Sequence, residues 1–250
     1  MNIEYPLRIN AYLAKSGCGS RRFCETLIQE GRVKVNMQRV TDLATRIEAE
    51  DIVTVDDVTV EPVERAFYYA LYKPRGYLST NYDPNEHLYA RDLIDTPARD
   101  LLFHVGRLDR DSAGLIIYTN DGALAQKISH PSTEIEKEYM VRTAFPVDRR
   151  DMEDALRGIE IDGVRYKIKR FELYSRLWTR IILTEGKNRQ IRRMFEYFGY
   201  EIKELVRTRI GCIEIDNLKT GHYRTISREE IRALLRGENE PLRPRREGRW

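Results

Sequence analysis

The chain has 250 residues, 41% of them hydrophobic and 33% charged, with a formal net charge of only +3. That length allows one large domain plus a small one. The near-balance of charge excludes a protein that coats nucleic acid over its whole surface, so any such contact must be a local patch. Three cysteines (Cys18, Cys24 and Cys212) without a CxxC pair argue against a disulfide framework and against a zinc site. The first residues, MNIEYPLRINAYL, lack a signal-peptide layout, and no apolar run approaches the ~18 residues of a membrane helix. A cytoplasmic chain that binds no membrane and holds no metal is expected.

In chain order, RINAYLAKSG places Ile9, Tyr12 and Leu13 at helical spacing until Gly17 and Gly19 break the pattern. Ser20 is placed to cap a second helix, RRFCETLIQEG, where Cys24, Leu27 and Ile28 repeat the spacing and Gly31 ends it. RVKVN and IVTVD alternate like strands, with a turn at Asn36-Met37-Gln38. Between Arg8 and Arg46 eight Lys/Arg stand against three Asp/Glu. Each of these cations alone reads as solvated surface charge. As a cluster, Arg21, Arg22, Arg32 and Lys34 read as phosphate contacts, because cations there meet a helix N-terminus.

Residues 61–66 read as a linker. From Phe67 the pattern turns β-rich (FYYALYK, LLFHVGR, GLIIYT, EYMVRT, RYKIKRFELY, RLWTRIILTEG, IGCIEI), with helices predicted over 122–129, 150–157 and 188–198. This is an α+β pattern with a mostly antiparallel mixed sheet and flanking helices. The predicted division is a small α/β domain over 1–60, the linker, a large domain over 67–236, and a basic, disordered tail over 237–250.

One segment stands out chemically. HVGRLDRDSAGL, residues 104–115, holds Arg107, Asp109, Arg110, Asp111 and Ser112 in a polar loop between two apolar strands, as a scaffold holds reactive groups. From chemistry alone a surface turn with internal ion pairs is an equally good reading. On the helix after Gly186, Ile191, Met194, Phe195 and Phe198 share one face; at 100° per residue Arg192 falls at its edge, while Arg189 and Arg193 point away. Tyr139, in the alternating EYMVR, reads equally well as an ordinary sheet-face tyrosine. Lys73 and Arg75 flank Pro74 in what looks like a rigid turn, His104 and His130 lack partners at ligand spacing, and Cys212 reads as core.

Taken together, GRLDRDSAGL (106–115), KPRG (73–76), KEY (137–139) and EGKNRQIRRM (185–194) closely resemble the motifs of the bacterial RsuA/RluB/RluE/RluF-type ribosomal RNA pseudouridine synthases, in the same order. Residues 7–60 resemble the S4-like RNA-binding domain that precedes the catalytic domain there, so the resemblance covers about residues 7–230. It implies isomerisation of a uridine to pseudouridine in ribosomal RNA, with Asp109 as nucleophile, Tyr139 stacking on the base and Arg192 as the cation paired with the aspartate. Pseudouridine formation needs no redox change or group donor, so no cofactor is expected. Arg107, Lys187, Arg189 and Arg193 are expected to contact RNA besides the N-terminal cluster, Arg189 and Arg193 from their outward place on the helix, since the match alone assigns the other third-motif cations no role. The partner expected is 23S rather than 16S RNA, or a ribosome-assembly intermediate, met by a monomer. The chemistry fits: a carboxylate serves as a covalent nucleophile, a pyrimidine needs an aromatic face, and a base in folded RNA has to be flipped out. Two rivals are a non-catalytic RNA-binding protein with a degenerate site and a hydrolase using Asp109 and Asp111 as paired carboxylates.

Overall fold

The computed structural model describes residues 3–80 and 87–242. The chain divides into two compact units. One runs to Phe67 and includes Thr96–Phe103 and Thr119–Asp121; the other comprises Tyr68–Asp95, His104–Tyr118 and the chain from Gly122 onward.

In the first unit, β1 (Leu7–Arg8) leads into α1 (Ile9–Lys15) and α2 (Arg21–Gln29). Ser20 caps α2, its hydroxyl accepting the Phe23 N–H at 3.2 Å. Then follow β2 (Val33–Val35), β3 (Gln38–Arg39), β4 (Arg46–Ile47), β5 (Val53–Val55) and β6 (Val58–Thr59). β1 pairs with β4, and the rest form a four-stranded antiparallel sheet, β3-β2-β5-β6. Its β2–β3 hairpin turns at Asn36 and Met37, φ 50° and 66°, the left-handed pair a tight hairpin requires. The helical stripes meet the sheet in one core of Ile9, Tyr12, Leu13, Cys24, Leu27, Ile28, Val33, Ile47 and Val53. Residues 61–66, expected as a linker, are tied to this unit: the Val63 N–H donates to the Lys15 carbonyl at 3.0 Å.

The second unit is built on a nine-stranded sheet, with flanking helices. Its elements are β7 (Tyr68–Lys73), β8 (Phe103–Val105), β9 (Ala113–Thr119), α3 (Gly122–Ser129), β10 (Lys137–Thr143), α4 (Arg149–Arg157), β11 (Ile159–Ile161), β12 (Val164–Tyr166), β13 (Arg170–Leu173), β14 (Trp178–Leu183), α5 (Gln190–Tyr197), β15 (Ile202–Ile210), β16 (Ile213–Glu214), β17 (Tyr223–Thr225) and α6 (Arg228–Leu235). β11 and β12 form a separate hairpin. The main path is β13-β14-β10-β15-β9-β7-β17, with β16 beside β15 and β8 beside β9. It is antiparallel along β13-β14-β10-β15 and between β7 and β17, and parallel between β15 and β9. The fold is therefore the expected α+β architecture. β9 is buried along its whole length, which explains its unbroken apolar run.

Two features depart from the sequence reading. β15 is a nine-residue central strand that the pattern did not reveal, because Arg207, Thr208 and Arg209 look like surface residues yet are all buried. The expected tail begins inside the fold: the Asn239 side chain accepts the Glu136 N–H at 2.8 Å, and its carbonyl accepts from Arg209. Residues 243–250 of that tail lie outside the described residues.

Candidate active site

The loop of residues 106–112 between β8 and β9 is fixed from below by residues 73–79. Lys73, fully buried, donates from Nζ to the Ser112 carbonyl at 2.8 Å and to that of Pro74 at 2.9 Å. Burial pushes its ammonium down to about 8, against the opposing pull of Asp111 and Asp109. The Gly76 N–H donates to Arg110 O at 2.7 Å, and the Ser79 hydroxyl bonds Leu108 through both its carbonyl and its N–H. The loop then enters β9 at Gly114, which pairs with Arg207 of β15. A Cβ there would lie 2.3 Å from the Arg207 carbonyl oxygen, and φ is +117°, so only glycine fits. The loop itself is a turn, Ser112 N–H donating to Asp109 O at 3.1 Å.

This scaffold presents Asp109 to α5. Arg192, with its side chain only 14% exposed, donates from Nη2 to Asp111 O and Ser112 Oγ, both at 3.1 Å. Its Nε stands 3.3 Å from Asp111 Oδ2 and 3.9 Å from Asp109 Oδ2, without hydrogen-bond geometry to either. Burial lowers the Arg192 pKa and the two aspartates resist that shift. The guanidinium is thus shared, and the nearer carboxylate is Asp111. The edge position expected for Arg192 is what brings it here.

The expectation for Arg189 needs correction. Its guanidinium does not point away: Nη1 lies 3.5 Å from Asp109 Oδ2 and 3.4 Å from Asp111 Oδ1. The reason is local. Arg189 is the N-cap of α5 and holds φ 48°, ψ 31°, so counting 100° per residue from inside the helix does not apply to it. Arg193 does face outward, 4.0 Å from the exposed Asp162.

Asp109, Arg189, Arg192, Tyr139, Arg107 and Lys187 all line one cavity of about 620 Å³, a size suited to a nucleotide-scale group. Tyr139, half-buried on β10, packs against the hydrophobic cluster around Ile181 and Phe195 while lining the cavity. Lys187 is tied back to Glu185 and to the Arg165 carbonyl. Two further cations in the lining, Lys137 and Arg207, were not singled out by the sequence reading, and His104 lines it as well. His104 Nδ1 lies 3.0 Å from Gly106 O, a contact that needs the proton on Nδ1, and burial depresses its pKa.

The four N-terminal residues behave differently from one another. Arg21 and Arg22 are exposed at the start of α2, where Arg21 donates to Asn10. Arg32 is paired with Asp56 and Glu30, and Lys34 with Asp57.

Known proteins resemble both parts of the chain. Residues 67–197 match the RNA pseudouridylate synthase family and residues 7–53 match the S4 domain. An uncharacterized RNA pseudouridine synthase of Mycobacterium leprae is 38% identical over 237 residues, covering 92% of this chain and 93% of that protein. The protein named ribosomal large subunit pseudouridine synthase B of Bacillus subtilis is 36% identical over 234 residues, covering 91% and 95%. A crystal structure of a pseudouridylate synthase superposes with a TM-score of 0.68 at 28% identity, covering 91% of this chain and 99% of that one. With the motif loop, the α5 cations and the tyrosine gathered on one cavity, the chain belongs to the RNA pseudouridine synthase family and is an isomerase of the RsuA/RluB type.

Proposed function

We propose that this enzyme converts a uridine of ribosomal RNA, in the large-subunit 23S molecule, to pseudouridine, with Asp109 as the nucleophile. The observation that carries the assignment is the Asp109 carboxylate in the cavity wall, within 4 Å of both Arg189 and Arg192, with Tyr139 lining the same cavity. A carboxylate is a competent covalent nucleophile, and two guanidiniums flank this one in the cavity wall. Tyr139 offers a face for the flipped pyrimidine. The preference for large-subunit RNA rests on the name of the Bacillus subtilis relative, which spans nearly the whole chain.

Asp109→Asn preserves shape and removes the nucleophile. Single-turnover assays on ribosomal RNA should show no product while RNA binding persists; substantial residual pseudouridine would overturn the role. Mapping pseudouridines in ribosomal RNA from cells lacking the enzyme tests the target. One missing site in 23S RNA is expected, and a missing site confined to 16S RNA would refute the preference.

A further inference from the structure

Three cations lining the cavity form no ion pair among the described residues: Arg107, which is exposed, and Lys137 and Arg207, which are not. Lys137 and Tyr139 lie two residues apart on β10 and both line it. On the neighbouring strand, Lys137 faces Ile210 and Tyr139 faces Arg207. In a regular strand, positions 207 and 210 would point to opposite sides. The register slips between Glu138 and Tyr139, however. This bulge puts Arg207 and Ile210 on the cavity side, while Thr208 and Arg209 reach Glu138 on the other, at 2.8 and 3.6 Å. The strand therefore departs from alternation at the point where doing so delivers Arg207 to the site.

Arg207 is only 4% exposed. It donates from Nε to Leu115 O at 2.7 Å and from Nη1 to Arg107 O at 3.3 Å, and its buried Nη2 has no hydrogen-bond partner. Lys137 donates from Nζ to Thr184 O at 3.1 Å. Among the described residues neither forms an ion pair. Burial, reinforced by the charge of Arg207, pushes Lys137 down to about 8. Keeping two uncompensated cations in one cavity is costly unless an anion arrives there.

The surroundings select which anion. Leu183, Leu205 and Ile210 line the same space, and Tyr139 supplies a flat face, so the lining suits a base better than a hydrated phosphate. The reaction supplies the charge. If Asp109 attacks C1′, the C1′–N1 bond breaks, its electron pair leaves with the ring, and the uracil anion spreads charge over N1, O2 and O4. C5 then bonds to C1′, the carboxylate departs, and the C5 proton is replaced by one on N1. If Asp109 adds to C6 instead, the ring electrons move onto O4. Either route loads O4 with negative charge.

We propose that Lys137 contacts O4 of the target uracil and, with the buried charge of Arg207 behind it, stabilises the charge that develops there. This rests on the isomerase reading with Asp109 as nucleophile. The test is a cycle between protein and substrate: wild type and Lys137→Met, each with RNA carrying uridine or 4-thiouridine at the target, in single-turnover kinetics. The intrinsic effect of sulfur cancels in the cycle. Lys137→Met should lower the rate on uridine by about 100-fold with unchanged RNA affinity. Its response to 4-thiouridine should differ from that of the wild type by about tenfold. Lys137→Arg should recover part of the rate, and Arg207→Lys, which keeps the buried charge, should lose less than Lys137→Met, with Lys137 alone decisive if that variant does not fold. Effects that simply multiply, or a Lys137→Met defect confined to RNA affinity, would overturn the proposal and assign the pair to backbone phosphate or to the fold. Neither result would touch Asp109, whose role is decided by Asp109→Asn.

Discussion

At the scale of single residues, the question is which cation Asp109 depends on. Arg189 and Arg192 both reach it, but their surroundings differ. The Arg189 side chain is 45% exposed, and an exposed ion pair contributes only ~0–1 kcal/mol. Arg192 is 14% exposed and braced by Asp111 O and Ser112 Oγ, so its charge acts through less water and from a fixed position. Arg192→Met should therefore lower the single-turnover rate by roughly 10²–10³-fold, the scale for losing one aligned electrostatic donor. Arg192→Lys should retain part of the rate, since charge survives while the forked hydrogen bonds are lost. Arg189→Met should cost about tenfold or less. Asp111→Asn should fall between, because Asp111 lies closer to Arg192 than Asp109 does and steadies its position. Kinetics of the four variants at saturating enzyme check the order. A larger loss for Arg189→Met than for Arg192→Met would place the functional cation at the helix cap instead.

At the scale of elements, much of the candidate site's arrangement was legible because its parts are local. The α5 stripe of Ile191, Met194 and Phe195 is buried as its spacing requires, and this put Arg192 at the right edge. The loop of residues 106–112 announced itself by its charged residues between two apolar strands. What stayed hidden depends on long-range pairing. The buried polar residues of β15 gave no hydrophobic alternation, so neither the strand nor Arg207 could be read from it. The bulge at Thr208 exists only as a relation to β10, and Arg189 was misplaced because a left-handed cap breaks the helical count. Gly114 connects the two classes. In the sequence it is one glycine of a motif; in the fold it is where β9 meets β15 in parallel, backbone against side-chain-free backbone. Gly114→Ala should destabilise the enzyme by about 4 kcal/mol or more, since neither the clash nor the backbone angle can relax without moving β15. Gly76→Ala, also at positive φ (+89°) but with open space around the new Cβ, should cost only about 1–2 kcal/mol. Denaturant midpoints of the two variants check this, and equal losses would show that the approach at Gly114 is not limiting.

At the scale of the whole molecule, the proposed chemistry and the expected RNA affinity fall to different parts of the chain. Asp109, Tyr139, Arg192 and the cavity all belong to the second unit, while the first carries the basic cluster on α2 and β2. Within that cluster the charges are not equivalent. Arg32 and Lys34 are matched by Asp56, Glu30 and Asp57, so their field is largely cancelled before RNA arrives. Arg22 forms no ion pair among the described residues, and Arg21 spends one donor on the neutral Asn10. Both sit in the first turn of α2, where the helix dipole also favours an anion. Counterion release ties each phosphate contact to the dependence of binding on salt. Replacing Arg21 and Arg22 together by Ala should therefore weaken RNA binding and reduce the slope of log K against log salt by about 1–2. Replacing Arg32 and Lys34 should leave that slope nearly unchanged, because forming their RNA contacts would first require breaking internal pairs. Neither double variant should alter the single-turnover rate at saturation. Titrations across a salt series separate the cases; an equal fall in slope for the two would mean that the ion pairs of β2 open on binding, and a fall in the saturated rate would mean that the first unit takes part in the chemistry.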